Sequence, residues 1–148
     1  MNSYGLIDLH CDTLAEYWKY AHTGNPDTLD DPGRVLSLSN MPKDVHWAQF
    51  YAVFIPDEER GQAAIDYFEK NRANFDRQME KFGDRVAPCR NADDMEKAWA
   101  AGKTAAFLTI ENGSALAGDL SRVHTLAEQG VRAITLTWNG ENELGSGH

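Results

Sequence analysis

The stretch Thr104-Ala105-Ala106-Phe107-Leu108-Thr109-Ile110, followed at once by Glu111-Asn112-Gly113, decides the fold. It is almost wholly apolar and lacks strict alternation. A strand reads this way when both of its faces are buried, as in a parallel sheet covered by helices. The carboxylate that ends the run marks a polar strand terminus.

Working outward, strand-like and helix-like segments alternate. A short helix from about Ala92 to Ala101 carries Met95 and Trp99 inward and stops at Gly102. Before it, Ile65, Phe68, Phe75, Met79 and Phe82 recur at helical steps, and Gly83 ends the pattern. Asp57, Glu58 and Glu59 are expected at that helix's N-terminal end, where its dipole favours negative charge. These aromatics read as core packing. A strand is expected from Trp47 to Ile55, closed by Pro56.

Residues 25–43, rich in Asn, Asp, Pro, Ser and Gly, read as a long loop. Tyr4 to Leu9 reads as a first strand and Thr13 to roughly Ala21 as its helix, stopped by Gly24. Downstream of Gly113, a helix near Asp119 to Gln129 places Leu120, Val123 and Leu126 on one stripe. A last strand, Val131 to Thr137, leads into Trp138-Asn139-Gly140-Glu141-Asn142.

Repeated βα units imply a parallel sheet with right-handed crossovers. Either an open doubly wound sheet or part of a barrel satisfies this. No GxGxxG or phosphate loop follows any strand, which weakens a nucleotide-binding sheet. Polar residues stand instead at strand C-terminal ends: His10 and Asp12, Glu111, and the segment from Trp138. In a barrel those ends form the catalytic face. The expected fold class is therefore α/β of the (β/α)8 TIM-barrel type. Residues 1–148 form one unit with about the first four β units, since a whole barrel takes about 250 residues.

With 42% hydrophobic and 25% charged residues, the composition is that of an ordinary globular domain. A net charge of −9 argues against nucleic acid or an anionic membrane surface as partner. Cys11 and Cys89 match no zinc-finger or CxxC spacing and read as reduced, buried thiols. With no membrane-spanning run or secretory signal, a cytoplasmic location is expected.

The chemistry centres on Asp8-Leu9-His10-Cys11-Asp12. Strand alternation puts Asp8, His10 and Asp12 on one face, so an imidazole and a carboxylate can reach one divalent cation. Glu111, directly after a buried strand, has two oxygens and can bridge two cations. Equally, it can serve as a loop carboxylate bonded to nearby amides. Two bridged metals suit hydrolysis without a protein nucleophile. Cys11 falls on the face opposite His10, and Ser114 lacks the GxSxG elbow. His22, His46 and His124 read as surface or capping residues, and His148 matches no element.

The blocks Ile7-Asp8-Leu9-His10-Cys11-Asp12-Thr13-Leu14, Gln49-Phe50-Tyr51-Ala52-Val53-Phe54 and Thr109-Ile110-Glu111-Asn112-Gly113, with Val131 through Asn139, resemble the membrane (renal) dipeptidases. These are zinc metallopeptidases on a (β/α)8 barrel. The resemblance implies that His10 and Asp12 ligate one zinc, that Glu111 bridges two Zn2+ ions, and that Asp8 is a supporting carboxylate. It implies hydrolysis of dipeptides by a hydroxide bridging the metals. It also places Trp138, where well-known members have a histidine, at the substrate pocket.

The family takes two further histidine ligands, an arginine and a catalytic aspartate from the later barrel half, beyond Gly145-Ser146-Gly147-His148. The chain therefore resembles an N-terminal half, expected to be inactive alone. The alternatives are a homodimer in which two copies complete one sheet, another amidohydrolase-type hydrolase, or a noncatalytic binding or structural remnant.

Overall fold

A computed structural model describes residues 4–14 and 28–147. The strands are β1 (Gly5–Cys11), β2 (His46–Phe54), β3 (Val86–Pro88), β4 (Thr104–Glu111) and β5 (Val131–Thr135). The helices are α1 (Gln62–Lys81), α2 (Ala92–Ala100) and α3 (Arg122–Glu128), with short 3-10 turns at Thr28–Asp30, before β2, and at Gly113–Leu116, after β4.

Every ladder is parallel. β4 is the centre of the sheet and pairs with β2 along its length, from Ala48↔Ala105 to Phe54↔Glu111. Its other edge is shared: β3 pairs with Thr104 to Ala106, and β5 pairs with Leu108 to Glu111. β1 lies beyond β2. The short β3 is absent from the sequence expectation because three residues ending in proline carry no alternation. Proline is accommodated there because the strand is short and at an edge.

The two faces of β2 and β4 separate by parity. Tyr51, Val53 and Ile55 with Ala106, Leu108 and Ile110 pack under α1, against Phe68, Phe75 and Met79, and this core extends to Leu126 of α3. On the other face Ala48, Ala105 and Phe107 pack with Ala98 of α2, and Phe50 stacks on Phe107 at 4.7 Å. Continuing up β4, that second face leads from Phe107 through Thr109 to Glu111. The core therefore ends where the polar residues begin.

Three local expectations differ from the fold. The acids at 57–59 do not start α1, whose N-cap is Gly61 with a left-handed φ of 54°. Asp57 is engaged elsewhere, as described below. α3 begins at Arg122, not near Asp119, because the carbonyls of Asp119, Leu120 and Ser121 accept from Arg122, Val123 and His124 in i→i+3 turns before α-helical bonding sets in. Of the expected stripe, Leu126 is buried while Leu120 and Val123 are exposed at 69% and 44%. The predicted helix after β1 has only Thr13 and Leu14 in view, both buried in a turn; the remainder lies outside the described residues.

Part of the long loop is well anchored. Leu29 is fully buried, Thr13 Oγ1 donates to the Leu36 carbonyl at 2.8 Å, and Arg85 forks onto Asp30 with both contacts at 2.7 Å. Among the described residues no helix is long and apolar enough to cross a membrane.

Candidate metal centre

β1 ends in an irregularity that sets the direction of its side chains. Asp8 pairs with Gln49 and Cys11 with Tyr51, so three steps on β1 match two on β2. One extra residue has been inserted, a β-bulge. Asp8 makes the turn, its Oδ1 accepting the His10 amide N–H at 3.1 Å. Asp8 and Cys11 therefore align with Gln49 and Tyr51, which share a face. This corrects the strict alternation expected from sequence, in which Asp8 and His10 shared a face and Cys11 lay opposite Asp8. The extra residue leaves His10 free to lean towards β4.

There it meets Glu111. His10 Nε2 lies 3.5 Å from Glu111 Oε2 and 3.4 Å from Asp12 Oδ1. One potential ligand atom from each of the three residues falls within 4.8 Å of the others. Zinc held at about 2.0–2.1 Å by tetrahedrally placed ligands separates them by about 3.3–3.4 Å. The two distances to the imidazole have that size, and one nitrogen with two carboxylate oxygens is a zinc-compatible donor set. The group fits a cation. His10 and Asp12 are exposed, whereas Glu111 is 20% exposed in its side chain.

Burial pushes the Glu111 carboxyl above the usual carboxylate range; the His10 imidazole opposes this and the Asp12 carboxylate adds to it. Phe54, the β2 register partner of Glu111, meets Trp138 edge to face with ring centres 4.8 Å apart. The strands that bring these rings flank β4, so they meet over its end. Trp138 is 41% exposed.

Cys11 packs against the helix-side core, and burial pushes its thiol up to about 12. A thiol held neutral is a poor nucleophile; of the two cysteines expected to be buried, Cys89 is buried and Cys11 half-buried. His46 sits beside Trp99 at the start of β2, away from the strand ends, and His124 is exposed on α3. His22 and His148 lie outside the described residues.

The structure adds a polar cluster beneath Glu111 that sequence reading did not single out. Asn112 is fully buried at a left-handed φ of 77°. Its Nδ2 donates to the Ile55 carbonyl at 2.9 Å and to Asp57 Oδ1 at 3.2 Å. Its Oδ1 accepts from Ser114 Oγ at 2.8 Å and from Asn142 Nδ2 at 2.9 Å. Asp57 also accepts the Gly140 amide at 2.8 Å. The available signal was the Asn-Gly pair directly after a strand, a turn dipeptide in which asparagine tolerates positive φ.

Solved structures share the fold of this chain. A metallopeptidase, dipeptidase AC, superposes with a TM-score of 0.78 at 19% identity, over 95% of this chain and 45% of its own. A Rhodobacter sphaeroides metallopeptidase, solved with a phosphinate mimic of the dipeptide L-Ala-D-Ala, gives 0.78 at 17% identity over 95% and 47%. The probable dipeptidase PvdM of Pseudomonas aeruginosa gives 0.73 at 20% identity over 92% and 35%. No curated protein sequence matches the chain significantly.

The chain spans less than half the length of these structures. Its parallel α/β sheet is part of the TIM-barrel fold they share, with the candidate ligands at the barrel's catalytic, C-terminal strand ends. The sequence model of the membrane dipeptidases, peptidase family M19, matches residues 1–148, and the chain belongs to that family.

Proposed function

We propose that this chain supplies one side of the binuclear zinc site of a dipeptidase. The observation that carries the reading is the meeting of His10, Asp12 and Glu111 at the C-terminal ends of parallel strands, in a chain of a metallopeptidase family. His10 and Asp12 would hold one ion. Glu111, with two oxygens and a position between them and the rest of the barrel mouth, would bridge to a second. Zinc held by these residues would supply Lewis acidity toward a peptide carbonyl and toward water.

The chain's own residues have distinct parts in this reading. Asp8 holds the bulge that turns His10 towards Glu111. Partial burial of Glu111 makes its bare carboxylate costly, so a cation beside it is favoured. Trp138, braced by Phe54, offers an aromatic wall next to the bridging position. The substrate class is a dipeptide, a reading supported by the dipeptide mimic in the Rhodobacter sphaeroides structure.

Among the described residues the three candidate ligands suffice for at most one zinc site with an open fourth position, so a binuclear centre needs further donors. We infer that these come from a further segment, and that the 148 residues alone bind zinc weakly and turn over dipeptides negligibly. The test is to assay L-Ala-D-Ala hydrolysis by the isolated chain and by the chain joined to a C-terminal half-barrel of an M19 relative, each with zinc. Activity confined to the joined protein, and lost with His10→Ala, is the expected result. Sustained turnover by the isolated chain overturns the inactivity, and an active His10→Ala protein overturns the metal site.

A further inference from the structure

Resting on that metal reading, we infer that Asn112 is a positioning residue for the Glu111 carboxylate, acting as a clamp that ties three loop ends together directly beneath it. Glu111 is the last residue of β4, so its side chain is aimed by the turn that follows. That turn passes through a conformation L-residues avoid. The positive φ of 77° at Asn112 is strained for any residue but glycine, and such strain persists only when the surroundings over-determine it.

The surroundings do so through one amide. Its Nδ2 reaches the end of β2, at the Ile55 carbonyl and the Asp57 carboxylate. Its Oδ1 receives Ser114 from the following 3-10 turn and Asn142 from the segment after β5. Asn142 then spends its second donor on the Leu136 carbonyl at 2.7 Å and accepts the Leu144 amide at 2.8 Å. Arg60 donates to Ser114 Oγ at 3.0 Å and to the Glu141 carbonyl at 2.6 Å. Both donors and the acceptor of Asn112 are used, in a cluster that is mostly buried. Such a network has one arrangement, because any other leaves an unpaired buried polar group.

The main chain completes the link. The Glu111 carbonyl accepts the Ile55 amide at 2.9 Å, and the Ile55 carbonyl accepts from Asn112, so a closed loop of bonds straddles the ligand residue. Glycine at 112 would adopt the same φ more readily yet provide none of these bonds. Aspartate would keep the shape but lose both donors and set a second carboxylate against Asp57. Side chain and backbone contributions are thus separable by substitution.

The experiment titrates the full 148-residue chain with Co2+, whose visible d–d bands report ligand geometry, with Glu111→Gln as reference. Asn112→Gly and Asn112→Asp are compared with Met79→Ala, a buried α1 change away from the strand ends. Fold is followed by circular dichroism. We expect roughly tenfold or greater loss of Co2+ affinity in both folded Asn112 variants, with altered bands, as removal of a residue supporting a ligand gives. Met79→Ala should bind as the parent does.

Parent-like affinity and bands in either folded Asn112 variant overturn the inference while leaving the metal reading intact. So does an equal loss in Met79→Ala, which would show a general effect of destabilisation. Parent binding that is absent, or unchanged by Glu111→Gln, overturns the metal reading and this inference with it. If neither Asn112 variant folds, Asp57→Ala, which breaks the clamp one bond further out, should weaken Co2+ in the same direction. Unchanged affinity in that protein overturns the inference.

Discussion

His10 Nε2 lies 3.5 Å from Glu111 Oε2, although β2 stands between the strands that carry them. Strands two apart in a sheet are separated by about 9.5 Å, so both side chains must lean across the intervening strand end. The bulge after Asp8 and the turn at Asn112 supply the two leans. On the proposed reading, a cation held between the two groups would bind only the folded chain and would stabilise it by mass action, by about 2.7 kcal/mol at a hundredfold excess over Kd.

Zinc should therefore raise the melting temperature of the chain, and a chelator should reverse the rise. His10→Ala and Glu111→Gln should each abolish most of it while leaving the metal-free melting temperature nearly unchanged. Differential scanning calorimetry with and without zinc measures this. An undiminished zinc shift in His10→Ala would place the bound metal elsewhere.

Gly113 allows the close passage of the segment that follows β5 beneath the turn after Glu111. A Cβ built on it would stand 2.9 Å from the Leu136 carbonyl oxygen and 2.5 Å from Leu144 Cδ1. The leucine methyl can rotate away; the carbonyl, which accepts the Gly113 amide at 3.2 Å, cannot move without breaking that bond. Gly113→Ala should cost about 1–3 kcal/mol, as overpacking does. Urea unfolding checks it, and a change under half a kilocalorie would mean that the β5 exit yields.

How much of this was legible in sequence depends on how local each signal is. β2 and β4 were readable because their apolar runs are long and buried on both faces. His10, Asp12 and Glu111 could be picked out because each ends a recognisable strand. The bulge was not, since it depends on how β1 registers against Gln49 and Tyr51, which a single strand does not encode. Nor was the Asn112 clamp, whose partners Asp57 and Asn142 are remote in the chain. The start of α3, expected near Asp119 and found at Arg122, was missed for a local reason: residues 119–121 close i→i+3 turns, which the side-chain periodicity does not distinguish from a first helical turn.

The fork between Arg85 and Asp30 makes a pH-dependent prediction. Hydrogen bonds from Arg85, seconded by Ser39, hold the Asp30 carboxyl below the usual carboxylate range. A depressed native pKa stabilises the fold above the unfolded value of about 3.9, and that contribution is lost as pH falls from there through the native value. Arg85 is 40% exposed, so solvent limits the pair to roughly 0.5–1 kcal/mol. Asp30→Asn should be destabilised by that amount at pH 7 and approach the parent at acid pH, once the carboxyl is protonated in both the native and the unfolded chain. Equal differences in urea midpoints at both pH values would show that Asp30 contributes through shape and not charge.

Among the described residues β1 pairs only with β2, leaving its other edge with open backbone groups. The strand is also apolar at its surface, with Ile7 exposed at 52% and Leu9 at 69%. An uncovered apolar edge strand is a template for pairing with another chain. The chain is therefore expected to associate as concentration rises, giving a sedimentation coefficient that increases with loading. Ile7→Lys places a charge on that edge without touching His10, Asp12 or Glu111, and should hold the chain monomeric while preserving its circular dichroism. Concentration-independent monomer in the parent, or equal association in Ile7→Lys, would mean that the β1 edge is not where chains meet.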